Sequence, residues 1–199
     1  HYKSEGGTDL LYEIAEAEYG YIAYCLSVKK KKEAAKRLDE AERHMELLMK
    51  QQEKNPRIYA LRGALFGLWI RLKPAKVMKY GKLSAEANQK ALELGPNEPQ
   101  AWMEKANIAF YKPAFAGGSK TEAVKLYEKA VRLYEVSPER TRQTWLYLNC
   151  LVGLGLAYEE TDQIQAAAEV YKRLLRMEPS FRWVKEDLYP QLLEKQSAN

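Results

Sequence analysis

The sequence predicts an all-α fold, and three observations carry that prediction. Apolar residues recur at helical spacing along almost the whole chain. No stretch alternates apolar and polar residues as a half-buried strand does, and there is no hairpin signal. Small and aromatic residues also return in the same order in successive segments, which is internal repetition. The 199 residues, 46% hydrophobic and 30% charged, suit a folded chain with a sizeable core.

Helices are expected to start near Thr8, Lys32, Asn55, Gly81, Pro99, Ser119, Ser137 and Asp162, with a last one near Phe181. In the first, Leu10, Ile14, Tyr21, Cys25 and Val28 share one face. The run Lys29 to Lys32 leads into the second. Positive charge opposes the macrodipole there, so the run reads as a solvated turn kept exposed by mutual repulsion. The second helix aligns Ala34, Leu38, Ala41, Met45 and Leu48 on one face. In the third, Asn55 supplies a capping side chain and Pro56 the preset first helical residue. Its segment "ALFGLWI" is followed at once by Arg71 and Lys73, so it reads as a buried helix. No apolar run reaches the roughly 18 residues that span a bilayer.

The fourth helix follows the insertion "RLKPAKVMKYGK", and the fifth opens at Pro99 and carries Trp102. Before the sixth lies "FYKPAFAGGSKTEA", which superficially resembles a phosphate-binding loop. A P-loop needs GxxxxGK[ST] between a strand and a helix, so that backbone amides cradle phosphate. Here Ser119 separates Gly118 from Lys120, the upstream glycine is missing, and no strand precedes. Ser119 with Glu122 instead forms an S-x-x-E capping box. Ser137-Pro138 repeats the cap-plus-proline signal for the seventh helix. After the eighth, Phe181, Trp183, Val184 and Leu188 suit a terminal cap over the last pair.

The repeated unit is clearest in "LVGLGLAYEETDQIQAAAEVYKRLLRMEP". Leu154, Gly155 and Tyr158 fall on its first helix, and Ala167, Tyr171 and Pro179 on its second helix and exit. Leu151 and Leu174 stand where Trp and Ala are usual. A second copy runs from Trp102 through Ala106, Ala123, Tyr127 and Ala130, and an earlier one from Tyr59 through Gly63, Phe66, Ser84, Ala91 and Pro96. The chain therefore resembles the tetratricopeptide repeat family, most strongly over 97–179, fairly over 56–96, and over 8–55 only as a helical pair. Tyr59 to Trp102 spans 43 residues and Ala91 to Ala130 spans 39, against about 34 in a standard repeat. The surplus lies in the two Pro- and Gly-bearing insertions.

That resemblance implies one α-α superhelix over 1–199, of about four irregular hairpins. These are a divergent pair (8–55), repeats at 56–98, 99–136 and 137–180, and a capping helix and tail (181–199). It also resembles small exported bacterial proteins of this family. The chain opens at His1 without Met, and both export after removal of a signal peptide and residence in the cytoplasm stay open. In the family, the first helix of each pair lines a concave groove that binds protein segments. The groove candidates carried over by register are Arg57, Gln100, Met103, Asn107, Tyr111 and Asn149, with Ala64 and Val152 as apolar positions. Asn107 stands out, because an amide can both donate to and accept from a peptide backbone. A full clamp for a terminal carboxylate would need more Lys, Arg and Asn than these.

Net charge is +5, and the excess is confined to the middle of the chain. Residues 56–120 carry 11 basic and 4 acidic side chains, while the flanking thirds are nearly balanced. Arg62, Arg71, Lys73, Lys76, Lys79 and Lys82 form, with Arg57, a strip that could meet an anionic partner or envelope surface. Only Tyr80 offers a stacking platform and no nucleic-acid motif accompanies the strip, which disfavours nucleic acid. No catalytic constellation is recognisable: His44 has no ligand-spaced partner, and Cys25 and Cys150 read as buried free thiols. The expectation is a non-enzymatic protein or peptide binder, with no cofactor and no metal.

Overall fold

The computed structural model describes residues 5–137, 141 and 145–197. Among them there is no strand, and nine α-helices pack in neighbouring pairs. These are α1 (Glu5–Ser27), α2 (Lys31–Gln51), α3 (Pro56–Leu72), α4 (Val77–Leu94) and α5 (Pro99–Tyr111). They continue with α6 (Lys120–Glu135), α7 (Trp145–Glu159), α8 (Ile164–Met177) and α9 (Tyr189–Ser197). The chain divides into two compact units, His1–Glu104 and Lys105–Asn199.

In the first unit α1 packs against α2 and α3, α2 against α3, and α3 against α4. The core face of α2 is the expected one: Ala34, Leu38, Ala41, Met45 and Leu48 are all fully buried. Each buried Leu or Met there contributes about 1.5–3 kcal/mol. For α1 the expectation needs correcting. Leu10, Ile14, Tyr21 and Val28 are exposed, and only Cys25 of that set is buried. The buried face is Tyr12, Ala15, Tyr19 and Ile22, on the opposite side of the helix, with Cys25 buried at the edge between the two. Both faces are apolar, so periodicity could not choose between them.

Asn55 caps α3 as read, its side chain accepting from the Arg57 amide at 3.1 Å. The fourth helix starts at Val77, four residues before the expected Gly81. A 3-10 turn, Pro74–Lys76, makes the join, so most of the "insertion" is helix. α3 and α4 approach closely where both residues are small. Ser84 Oγ donates to Gly63 O at 2.9 Å, and a Cβ on Gly63 would lie 3.3 Å from Ser84 O. The start of α5 joins this core through Ala101, which clusters with Tyr59, Ala60 and Ala91.

In the second unit α6 packs on α7, α7 on α8, and α8 on α9 and the π-helical turn Trp183–Leu188. Ser119 caps α6, accepting from the Glu122 amide at 3.1 Å. The return half of the box is not made, since the Ser119 amide donates to Ala109 O at 2.9 Å instead. The helix start expected at Ser137-Pro138 lies outside the described residues from Pro138 on. At the cap Val184 and Leu188 are buried as expected, but Trp183 is exposed. Tyr127 and Tyr171 explain two glycines of the repeat. A Cβ on Gly153 would lie 2.5 Å from the Tyr127 ring, and one on Gly155 2.3 Å from Tyr171.

Candidate interaction surfaces

The structure gathers two of the groove candidates of the first unit into one polar cluster. The Arg57 guanidinium lies over the Tyr12 ring, 4.3 Å from its centroid, and 3.8 Å from Glu16. The Tyr12 hydroxyl donates to Gln100 Oε1 at 3.1 Å, and the Gln100 backbone N–H donates to Glu98 Oε1 at 3.4 Å. Residues from α1, α3 and the start of α5 thus converge. Burial pushes the Tyr12 hydroxyl well above its usual range, with Arg57 opposing. Burial also raises the Glu16 carboxyl, again against Arg57. Burial alone would lower the Arg57 guanidinium, but Tyr12, Glu98 and Glu16 more than offset it, so it stays charged.

Of this cluster Arg57 keeps an exposed side chain, whereas Gln100 is 1% exposed. Gln100 Nε2 is buried with no hydrogen-bond partner among the described protein groups. Met103 is likewise 1% exposed, and Ala64 and Val152 are buried. These four side chains serve packing.

In the second unit Asn107 is half-buried on α5, and its Oδ1 accepts from the Tyr127 hydroxyl of α6. One side of the amide is thereby fixed by the neighbouring helix. Tyr111, at the end of α5, is exposed and meets Phe110 edge-on at 4.9 Å. Asn149 is half-buried on α7.

Most side chains of the basic strip are accessible. Arg71, Lys73, Lys76, Lys79 and Lys82 are exposed, and Arg62 is half-buried. Lys73 lies over Trp69, 4.2 Å from the centroid, and Lys79 over Tyr80 at 5.4 Å. Trp69 and Tyr80 stack at 5.4 Å, and Tyr80 is buried, so its ring is not a free platform for a base. Lys82 pairs with Glu86 at 3.7 Å, and Arg62 lies over Phe66 at 5.5 Å. Arg62 and Phe66 also line a shallow cleft of about 210 Å³ with Tyr59, Leu83 and Lys90.

The loop before α6 is built for a tight reversal. Gly117 sits at φ 93°, and a Cβ on Gly118 would lie 1.7 Å from Lys112 O. The Lys120 ammonium donates to Phe110 O at 2.7 Å and so closes the loop internally. His44 is held by Glu18 at 2.8 Å, and Cys25 and Cys150 are buried free thiols. Among the described residues no group of three His, Cys, Asp or Glu could hold a metal, and no helix is long and apolar enough to cross a membrane.

Sequence reasoning missed the tyrosine–carboxylate pairs that tie the second unit together. Tyr147 donates to Glu135 at 2.8 Å and Tyr171 to Glu159 at 2.6 Å. Arg173 bridges to Glu135 at 2.6 Å, and Tyr158 donates to Glu128 at 2.7 Å. A signal existed, because Tyr147 and Tyr171 each follow their glutamate by 12 residues.

Antiparallel helical hairpins with small residues at the crossings and tyrosines set on glycines define a helical repeat protein. Residues 148–181 match the tetratricopeptide repeat family model, so the chain carries a tetratricopeptide repeat formed by α7 and α8. No curated protein matches the sequence. Among solved structures the chain is similar to the HusA haemophore from Porphyromonas gingivalis. The two are 25% identical with a TM-score of 0.59, over 75% of this chain and 85% of that one.

Proposed function

We propose that the protein is a non-enzymatic scaffold that binds extended protein segments along first helices of the hairpins within each unit. The observation that carries this reading is the pairing of accessible polar groups on those helices with fixed partners. Arg57 on α3 is held by Tyr12 and Glu16, and the Asn107 amide on α5 by Tyr127. Groups held in one geometry lose little entropy when a ligand arrives. A tetratricopeptide repeat at 148–181 is consistent with that role. Tyr111 and Asn149 are the further candidates in the second unit. Gln100 and Met103 act beneath these surfaces as support.

The test is selection of peptides from a displayed library on the whole chain, followed by calorimetry. Asn107→Ala is expected to weaken a selected peptide about three- to tenfold, the worth of one hydrogen bond, with the circular dichroism spectrum unchanged. If no peptide is selected, or if selected peptides ignore both Asn107→Ala and Arg57→Ala, the reading fails.

One observation favours a second reading, an anionic partner or envelope surface met by the strip around 57–82. Met78 is 85% exposed between Val77 and Lys79, with Lys73 and Lys76 alongside, so cations surround an apolar tip. The haemophore neighbour raises a third class of ligand, haem. Against it, His44 is half-buried and paired with Glu18, and both cysteines are buried.

A further inference from the structure

The outward face of α1 is as apolar as its core face. Leu10, Ile14, Ala17, Tyr21 and Tyr24, with Val28 just beyond its end, are all exposed, with Leu10 at 53% and Tyr24 at 54%. Their spacing alternates four and three residues from end to end, which is the seam of a two-stranded coiled coil. At about 100° per residue they fall within an arc of about 80°. The outer face of a helical stack is ordinarily polar for solubility, and this one is not.

We infer that this seam is the docking surface for the α1 of a second copy, lying antiparallel about a two-fold axis. Two features of the page select that occupant. The first is register. An antiparallel two-fold pairs Leu10 with Val28, Ile14 with Tyr24 and Ala17 with Tyr21, so every seam residue meets another seam residue. The same surface is used twice, as a closed isologous contact requires. The second is charge. The start of α1 carries exposed Asp9 and Glu13, and its end runs into exposed Lys29 to Lys32. Antiparallel pairing lays the carboxylates of each copy beside the lysines of the other. A parallel pair would bring lysine to lysine instead.

This arrangement also accounts for the lysine run. Lys29 has a left-handed φ of 61°, and Lys30 leads into α2 with no side-chain cap. The run crowds positive charge at a helix start, where the macrodipole opposes it. Carboxylates from a second copy offset that repulsion.

Sedimentation equilibrium of the whole chain tests the inference. A dimer is expected at about 100 μM, where a micromolar complex is almost fully formed. Ile14→Glu is expected to raise the dissociation constant at least about 30-fold, as loss of a central anchor does. Because the site is exposed, the far-ultraviolet circular dichroism spectrum of the variant should match the parent, while its melt should fall to that of the parent diluted below the dissociation constant. The double variant Ile14→Glu/Tyr24→Lys brings opposite charges together only in the antiparallel register, so it should recover dimer at low salt. A monomeric parent at about 100 μM overturns the proposal and leaves the seam to a different partner. So does a dimer that ignores Ile14→Glu, or a double variant no better than the single one.

Discussion

Gly155 and Tyr171 are sixteen positions apart in sequence and touch in space, and the contact is set by what glycine lacks. The Tyr171 ring is fully buried, its hydroxyl is tied to Glu159, and a Cβ at 155 would sit 2.3 Å from the ring. Gly155→Ala is therefore expected to destabilise by about 1–3 kcal/mol, read as a lower urea midpoint. Gly67 is the control, since nothing lies within 4 Å of its added Cβ in α3. There Gly67→Ala should stabilise by about 0.5–1 kcal/mol through helix propensity alone. Tyr158 gives a residue-scale pH prediction. Burial, helped by its bond to Glu128, pushes its hydroxyl up to about 12. A raised folded-state value means stability that is complete below about pH 10, the unfolded value, and lost as pH climbs toward 12. Tyr158→Phe should flatten that part of the alkaline stability profile, measured by urea titration at successive pH values.

At the scale of elements, side-chain caps set the starts of α3 and α6. Asn55→Ala removes the side-chain acceptor at the head of α3 and should cost about 1 kcal/mol in chemical denaturation. Ser119→Ala should cost a similar amount at α6, because only the forward half of its box is formed. Gly118→Ala should cost more than either, since its Cβ would collide with backbone at Lys112 O rather than with a movable side chain. Those caps were legible in the sequence because a capping bond is local, spanning two or three residues. The start of α4 was not. Lys73-Pro74 reads as a stop, yet a single 3-10 turn restarts the helix at Val77.

At the scale of the molecule, charge is the property that belongs to no single element. Changing Lys73, Lys76 and Lys79 to Ser lowers the net charge from +5 by three, all within one exposed strip. If that strip meets an anionic surface, flotation with phosphatidylglycerol vesicles at low salt should be lost in the triple variant. Equal flotation of parent and variant would discard the second reading while leaving the peptide-binding one intact. The fold class, the repeat at 148–181 and the core face of α2 follow from the sequence by itself, because periodicity, small residues and prolines act over a few turns. Of the site, the strip was legible as composition and Asn107 as a register position. That Arg57 and Gln100 meet at Tyr12, and that Gln100 and Met103 are buried, was not. The tertiary structure alone decided those points and the choice between the two apolar faces of α1. The physical reason is the same in each case. A helix states which of its faces are apolar, but only the helices packed against it determine which face leaves water.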